Sequence, residues 1–112
     1  METKVFIKRK PTRNSAEDFS CTFTIGNQFF PLSLKPNDTE FLSFLLNQNE
    51  EFVKAGEVEL PLFIEKRNFT DKDEKVVEYI SYEISVQNVI FELKPEVKHK
   101  RLLGYLLEKE GV

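Results

Sequence analysis

Aromatic side chains alternate with basic ones in two short stretches of this chain. Residues 4–8 read Lys-Val-Phe-Ile-Lys, and residues 66–69 read Lys-Arg-Asn-Phe. A phenylalanine or tyrosine ring offers a flat apolar face, and a lysine or arginine offers a cation. Side by side, the two types of group can stack on nucleobases and neutralise phosphates, which is the chemistry of single-strand recognition.

The candidate stacking rings are the aromatic residues that are out of phase with the apolar alternation of their strands: Phe6, Phe29, Phe63, Phe69 and Tyr79. The candidate phosphate-binding cations are the basic residues near them: Lys8, Arg9, Lys10, Arg13, Lys66, Arg67 and Lys75. A structural interpretation stands beside this one. Outward rings can cover one end of a sheet, and lysines at strand edges can prevent aggregation.

Other chemistries find little support in the residue pattern. Cys21 is the only cysteine and lies in a strand-like alternation, which favours a buried, inert thiol. His99 has no cysteine or carboxylate at ligand spacing, so no metal site is expected. The paired acids at residues 57–65 and 71–73 are interpreted as solvated surface. We therefore expect no catalytic constellation, no cofactor and no enzyme activity.

The charges are unevenly distributed along the chain. The net charge is -3, yet residues 1–13 and 94–101 are basic while the acids concentrate in residues 38–59. This pattern is compatible with a surface that has a basic side and an acidic side. The single cysteine, and the absence of a signal peptide or a long apolar run, predict a cytoplasmic protein that does not enter a membrane.

Hydrophobic periodicity predicts a mostly β chain. Strands are expected at residues 4–9, 19–25 and 28–34, from residue 57, and at 76–93. A turn is expected at Gly26-Asn27, a polar loop at residues 10–15 and a bulge at Asn88. One helix is expected at residues 39–54, with Asn37 or Asp38 as its cap and Gly56 at its end, and a second at residues 96–110.

The order of these elements is that of the OB fold, a five-stranded barrel with one helix between strands three and four. We therefore predict a mainly β, OB-type barrel domain over residues 1–94 and a short C-terminal helix or tail over residues 95–112. The leucines of that helix must pack either on the barrel or on a partner.

Part of the chain resembles a known family. Residues 55–93 read AGEVELPLFIEKRNFTDKDEKVVEYISYEISVQNVIFEL. This stretch resembles the last third of the OB domain of bacterial and phage single-stranded DNA-binding proteins, and Phe19–Ile25 resembles their second strand. The matching positions are Gly56, Lys66-Arg67, Phe69, Asp71-Lys72-Asp73 and Asn88-Val89. The chain departs from the family in its short Gly26-Asn27 connection and in having no acidic C-terminal tip.

The resemblance implies binding of single-stranded DNA with little sequence specificity, by an accessory protein of a phage or conjugative element. Replication and conjugation are the processes expected. The sequence leaves RNA binding and homo-oligomerisation open. It also leaves an alternative function, an OB-type interaction module whose acidic segment at residues 50–59 binds or inhibits a host or plasmid protein.

Overall fold

The computed structural model describes residues 1–10 and 19–112. The strands are β1 Glu2–Arg9, β2 Phe19–Ile25, β3 Gln28–Ser33, β4 Glu57–Thr70, β5 Val76–Val86 and β6 Val89–Pro95. The helices are α1 Pro36–Leu46, α2 Glu50–Ala55 and α3 Lys100–Lys109, and a 3₁₀ turn at Val97–His99 precedes α3. Apart from Lys10, the predicted loop at 10–15, with Arg13, lies outside the described residues.

The predicted mainly β closed barrel is confirmed. Within the described residues, six strands close in the order β1-β2-β3-β6-β5-β4, and every neighbouring pair is antiparallel. Five strands were predicted, and the sixth arises because residues 76–95 form a hairpin. A closed ring in which all neighbouring strands are antiparallel requires an even number of strands. The sixth strand therefore allows β6 to pair with β3 in the antiparallel orientation.

The turn at Gln87 and Asn88 divides the predicted last strand into β5 and β6. Both residues have a left-handed backbone, with φ of 49° and 66°. Two consecutive left-handed residues are the geometry of a two-residue hairpin turn that matches strand twist. The bulge predicted at Asn88 is therefore wrong, and the change of apolar phase after it marks this turn. The predicted Gly26-Asn27 turn has the same geometry, with φ of 58° and 66°.

The helical segment between β3 and β4 starts earlier than predicted and is interrupted. α1 begins at Pro36 with Lys35 as its N-cap, and no side chain caps it, so the predicted cap at Asn37 or Asp38 is wrong. Proline suits this first position because the N–H it lacks would have no partner there. Asn49 then starts α2, where its side-chain oxygen accepts a hydrogen bond from the Phe52 N–H at 2.9 Å.

Alternate strand residues fill the barrel, as the period of two predicts. Phe23 is fully buried at the centre, with its ring centroid 5.8 Å from that of Phe30 and 5.9 Å from that of Tyr82. The other fully buried side chains come from four strands and from helices α1 and α3: Val5, Ile7, Leu42, Leu46, Leu62, Ile64, Ile84, Leu93, Leu103 and Leu107. One continuous core therefore holds both barrel and helices.

The C-terminal helix packs on its own barrel. Leu103 and Leu107 of α3 are fully buried and belong to the same core cluster as the strand residues. A Cβ atom on Gly26 would lie 3.8 Å from Leu106, so α3 also contacts the β2–β3 turn. Of the helices in the described ranges, none has the length and apolar character needed to cross a bilayer.

Replacing Leu107 with alanine should lower the free energy of unfolding by about 2–5 kcal/mol, since it removes buried methyl groups and leaves a cavity. Urea denaturation measures the change. The matched control is Leu102→Ala on the same helix, where the side chain is 41% exposed and the expected change is within about 0.5 kcal/mol. Equal losses for the two variants would contradict the packing of α3 on the barrel.

Candidate nucleic-acid interface

The five aromatic residues predicted to lie out of phase with the core are all exposed. Their relative exposures run from 41% to 73%, for Phe6, Phe29, Phe63, Phe69 and Tyr79. By contrast, the in-phase rings of Phe23, Phe30 and Phe91 are buried. Strand alternation thus separates rings that can meet a ligand from rings that fill the core.

β4 is long enough to hold separate aromatic groups at its two ends. Its first half pairs with β1, as the OB order implies, and Phe6 lies opposite Glu59 in that pairing. Phe69 is ten residues farther along the same strand, a distance of about 33 Å at about 3.3 Å per residue. The predicted basic-aromatic stretches at 4–8 and 66–69 therefore do not form one groove.

The far end of β4 projects from the barrel together with β5. The pairing of β4 with β1 ends at Phe63, and the pairing of β5 with β6 begins at Tyr82. Between these points, residues 65–70 and 76–81 pair with each other in a two-stranded extension. We call residues 65–81 the ribbon.

The turn of the ribbon is held by Asp71. Its carboxylate oxygen Oδ1 accepts hydrogen bonds from the backbone N–H groups of Asp73 and Lys75, both at 2.9 Å. Glu74 takes a left-handed backbone with φ of 60°. The turn is thus ordered by its own side chain, a usual role for aspartate.

Phe69 and Tyr79 form an exposed aromatic pair on the ribbon. Phe69 lies opposite Val77 and Arg67 lies opposite Tyr79, so the two rings are diagonal neighbours on one face. Their centroids are 5.9 Å apart and their planes are inclined at 59°. They are 50% and 41% exposed, and so keep free surface for a third flat group.

A cavity of ≈ 710 Å³ lies beside this pair, where the pairing of β5 with β6 ends at Tyr82 and Leu93. Its lining is aromatic and apolar, with two lysines and two glutamates: Phe69, Tyr79, Ile80, Tyr82, Leu93, Pro95, Lys94, Lys100, Glu78 and Glu92. We call this cavity and its aromatic pair the ribbon site. Its size is within the usual range of ligand pockets.

Arg67 fixes the base of the ribbon. Its guanidinium donates to Glu83 Oε1 at 2.7 Å and to Ser81 Oγ at 2.9 Å, and it lies 3.2 Å from Glu65 Oε2. A phosphate approaching Arg67 would have to compete with two carboxylates. The arginine therefore acts mainly by holding β4 and β5 in register beneath the aromatic pair.

The other predicted cations are dispersed. Lys66 and Lys75 are exposed on the ribbon, and Lys10 is exposed after β1. Arg9 is turned toward α1 and α2, with its guanidinium carbon 4.9 Å from the Phe52 ring centroid and a hydrogen bond to Asn47 Oδ1 at 3.1 Å.

A second concave surface lies at the opposite end of β4. It encloses ≈ 430 Å³ and includes Phe6, Phe29, Lys8 and the glutamates Glu51, Glu57 and Glu59. Lys4 is 3.1 Å from Glu59, and Lys8 lies opposite Glu57 in the strand register. We call this surface the acidic depression. Its carboxylates offset the lysines that flank Phe6 and make this end poorly suited to phosphate.

Among the residues that line the ribbon site, sequence reasoning named only Phe69 and Tyr79 as site residues. Tyr82 lies in the predicted last strand, and Lys94 and Lys100 belong to the segment noted above as basic. Burial raises the pKa of Tyr82 to about 12. The excess of lysine in residues 94–101 was the available signal, and the approach of that segment to the ribbon depends on barrel closure.

The remaining titratable candidates have structural roles. Cys21 is 3% exposed, and burial raises its pKa to about 12 despite the opposing charge of Lys10. His99 packs edge-on against Phe30, with ring centroids 5.5 Å apart. Within residues 1–10 and 19–112, no group of three or more His, Cys, Asp or Glu residues is arranged to hold a metal ion.

The buried thiol makes the fold sensitive to alkaline pH. Its ordinary pKa of 9.0 is raised to about 12 in the folded chain. The folded state thus retains a proton that the unfolded state loses, and stability falls as pH rises from 9 toward 12. Cys21→Ala should reduce the slope of unfolding free energy against pH by up to about 1.4 kcal/mol per unit in this window.

Urea denaturation at a series of pH values provides the measurement. Both chains share every other titrating group, including Tyr82, so the difference in slope isolates Cys21. The slopes should agree between pH 6 and pH 8, about one unit or more below the ordinary thiol pKa. Identical slopes above pH 9 would show that the thiol ionises equally in both states.

Two aromatic surfaces therefore stand about 33 Å apart along β4, at about 3.3 Å per residue. The ribbon site combines an exposed ring pair with lysines from β6 and α3, and the acidic depression combines exposed rings with glutamates. No protein-family model, curated protein or solved structure matches this chain.

Proposed function

We propose that this chain binds single-stranded DNA at the ribbon site, with little sequence specificity. The observation that carries the proposal is the exposed Phe69–Tyr79 pair beside a cavity whose lining includes Lys94 and Lys100. Rings and cations within one concave surface are the two components that single-strand binding requires.

Stacking supplies the first component. A base lying on Phe69 or Tyr79 would extend the tilted pair and cover ring surface that is now exposed to water. Such stacking contributes about 1–3 kcal/mol per base and accepts any base, because every base has a flat face. This tolerance is the basis for proposing low sequence specificity.

Phosphate contacts supply the second component. Lys94 at the end of β6 and Lys100 at the start of α3 both line the cavity. When one base of a DNA strand is stacked at the ribbon, the sugar-phosphate backbone of that strand can run alongside these two ammonium groups. Lys66 and Lys75 are also exposed on the ribbon, outside the lining of the cavity.

Glu78 and Glu92 share the cavity with the lysines, and they limit how much electrostatics can add. With two lysines in contact, about two phosphates are neutralised. The logarithm of the binding constant should then fall with the logarithm of salt with a slope of about −1.4, at about −0.7 per phosphate. A shallow slope accords with binding in which stacking dominates.

The biological setting follows from the resemblance of residues 55–93 to single-stranded DNA-binding proteins. We propose a cytoplasmic accessory protein of a phage or conjugative element, active when replication or transfer exposes single strands. The role is one of binding and not of catalysis.

Fluorescence anisotropy with an oligo-dT strand of about ten nucleotides, within the span of one OB barrel, tests the proposal. Phe69→Ala and Tyr79→Ala should each weaken binding about 5- to 150-fold, the equivalent of about 1–3 kcal/mol. Phe44→Ala is the matched control, because Phe44 is 64% exposed on α1. Duplex DNA and RNA of the same length serve as parallel ligands.

Charge is tested separately. Lys100→Gln should weaken binding and flatten the salt dependence by about 0.7, whereas Lys54→Gln on α2 removes an equal charge and should change neither. The proposal is wrong if no strand binds at low salt. The assignment to the ribbon site is wrong if Phe29→Ala weakens binding as much as Phe69→Ala.

A further inference from the structure

We propose that copies of this chain associate head to tail, with the outward face of α3 in one copy docked in the acidic depression of the next. This inference goes beyond nucleic-acid binding and depends on different residues. It commits to a second copy as the occupant, because the chain carries both a receiving surface and a surface of complementary charge and shape.

The receiving surface is concave and leaves two rings unpaired. Of the five aromatic residues predicted to be out of phase with the core, Phe29 is the most exposed, at 73%. Phe6 is 44% exposed. Rings left open to water in a cavity of ≈ 430 Å³ favour an apolar or cationic side chain that would cover them.

The charge of the depression selects a cation. Three glutamates line it against Lys8, and Glu59 is paired with Lys4. Among the ion pairs of the described residues, none includes Glu51 or Glu57. These two carboxylates remain available to an incoming arginine or lysine.

The complementary surface is the outward face of α3, which carries the exposed residues Arg101 and Tyr105. Residues 97–102 read Val-Lys-His-Lys-Arg-Leu and contain no acid. Arg101 and Tyr105 are four residues apart in α3 and so form one stripe on that helix, and Val97 precedes it in the 3₁₀ turn. Tyr105 is 56% exposed and Val97 is 81% exposed.

The stripe faces away from the barrel of its own chain. Leu103 and Leu107 hold the opposite face of α3 in the barrel core, so the stripe points outward. In the proposed contact one stripe occupies one depression and no second contact is made in return, so the contact is heterologous. Repetition of such a contact yields an open chain or a ring instead of a closed two-fold dimer.

Sedimentation velocity on the full chain, without nucleic acid, tests the proposal. The average sedimentation coefficient should rise with protein concentration at low salt, and the rise should diminish at high salt because the contact is charge-assisted. Arg101→Glu reverses the charge of the donor surface, and Phe29→Ala removes the most exposed ring of the receiving surface. Each should raise the dissociation constant at least about tenfold, as loss of a central contact does.

Mixing the two variants tests whether these two surfaces meet each other. The Phe29→Ala chain keeps its donor stripe, and the Arg101→Glu chain keeps its depression, so together they can form one intact contact. An equimolar mixture should therefore produce a discrete heterodimer and nothing larger. Lys35→Glu and Phe44→Ala, which change an equal charge and an equal ring elsewhere, should assemble as the unsubstituted chain does.

The proposal is overturned if the chain remains monomeric up to about millimolar concentration, the range of the weakest specific contacts. It is equally overturned if association occurs but neither variant weakens it, or if the mixture fails to form the heterodimer. If the chain associates as proposed but does not bind oligo-dT, the proposed function is rejected and this inference stands.

Discussion

The antiparallel pairing of β1 with β4 is the constraint on which the rest of the structure depends. It joins residues more than fifty positions apart, with Val5 opposite Leu60 and Ile7 opposite Val58. Backbone hydrogen bonds of 2.8 Å in both directions between Met1 and Ile64 end it. A slip of one residue would turn the β1 core side chains outward. The same register fixes where β4 becomes free, and thus where the ribbon begins.

The register also distributes charge between the two ends of β4. Its first half lays Glu57 and Glu59 beside the lysines of β1, and its second half carries Phe69 away from both. The ribbon site thus has lysines and glutamates in equal number, whereas glutamates outnumber lysines in the acidic depression. The proposed binding of nucleic acid and the proposed self-association use these separate surfaces and do not compete for the same side chains.

Local pattern predicted the local features of this chain well. The bounds of β2, the Gly26-Asn27 turn and the exposure of rings such as Phe69 follow from alternation and turn chemistry, which act over a few residues. The Gln87-Asn88 turn was mistaken for a bulge because neither residue is glycine, the usual marker of a left-handed backbone. The break between α1 and α2 was missed because the helical spacing of apolar residues continues across Asn49. The Asn49 side chain accepts a hydrogen bond from the Phe52 N–H and so starts a new helix at that point.

The composition of the site was less accessible to sequence. The approach of Lys94 and Lys100 to the ribbon is set by β6 and α3, which reach it through barrel closure. Likewise, Glu59 neutralises the charge of Lys4 only because the register of two distant segments brings these residues together. Sequence pattern identifies which side chains are available at a surface. Tertiary pairing decides which of them meet, and that pairing cannot be read from spacing along the chain.

The projecting ribbon has a consequence for how the molecule opens. In the barrel every strand has neighbours on both sides, whereas the amides of residues 65–70 and 76–81 are paired within a two-stranded segment. Such a segment exchanges its hydrogens through local fraying that leaves the barrel intact. The protein thus has two levels of protection from exchange, and a ligand covering Phe69 and Tyr79 would raise both, because the frayed and the unfolded states both lose its site.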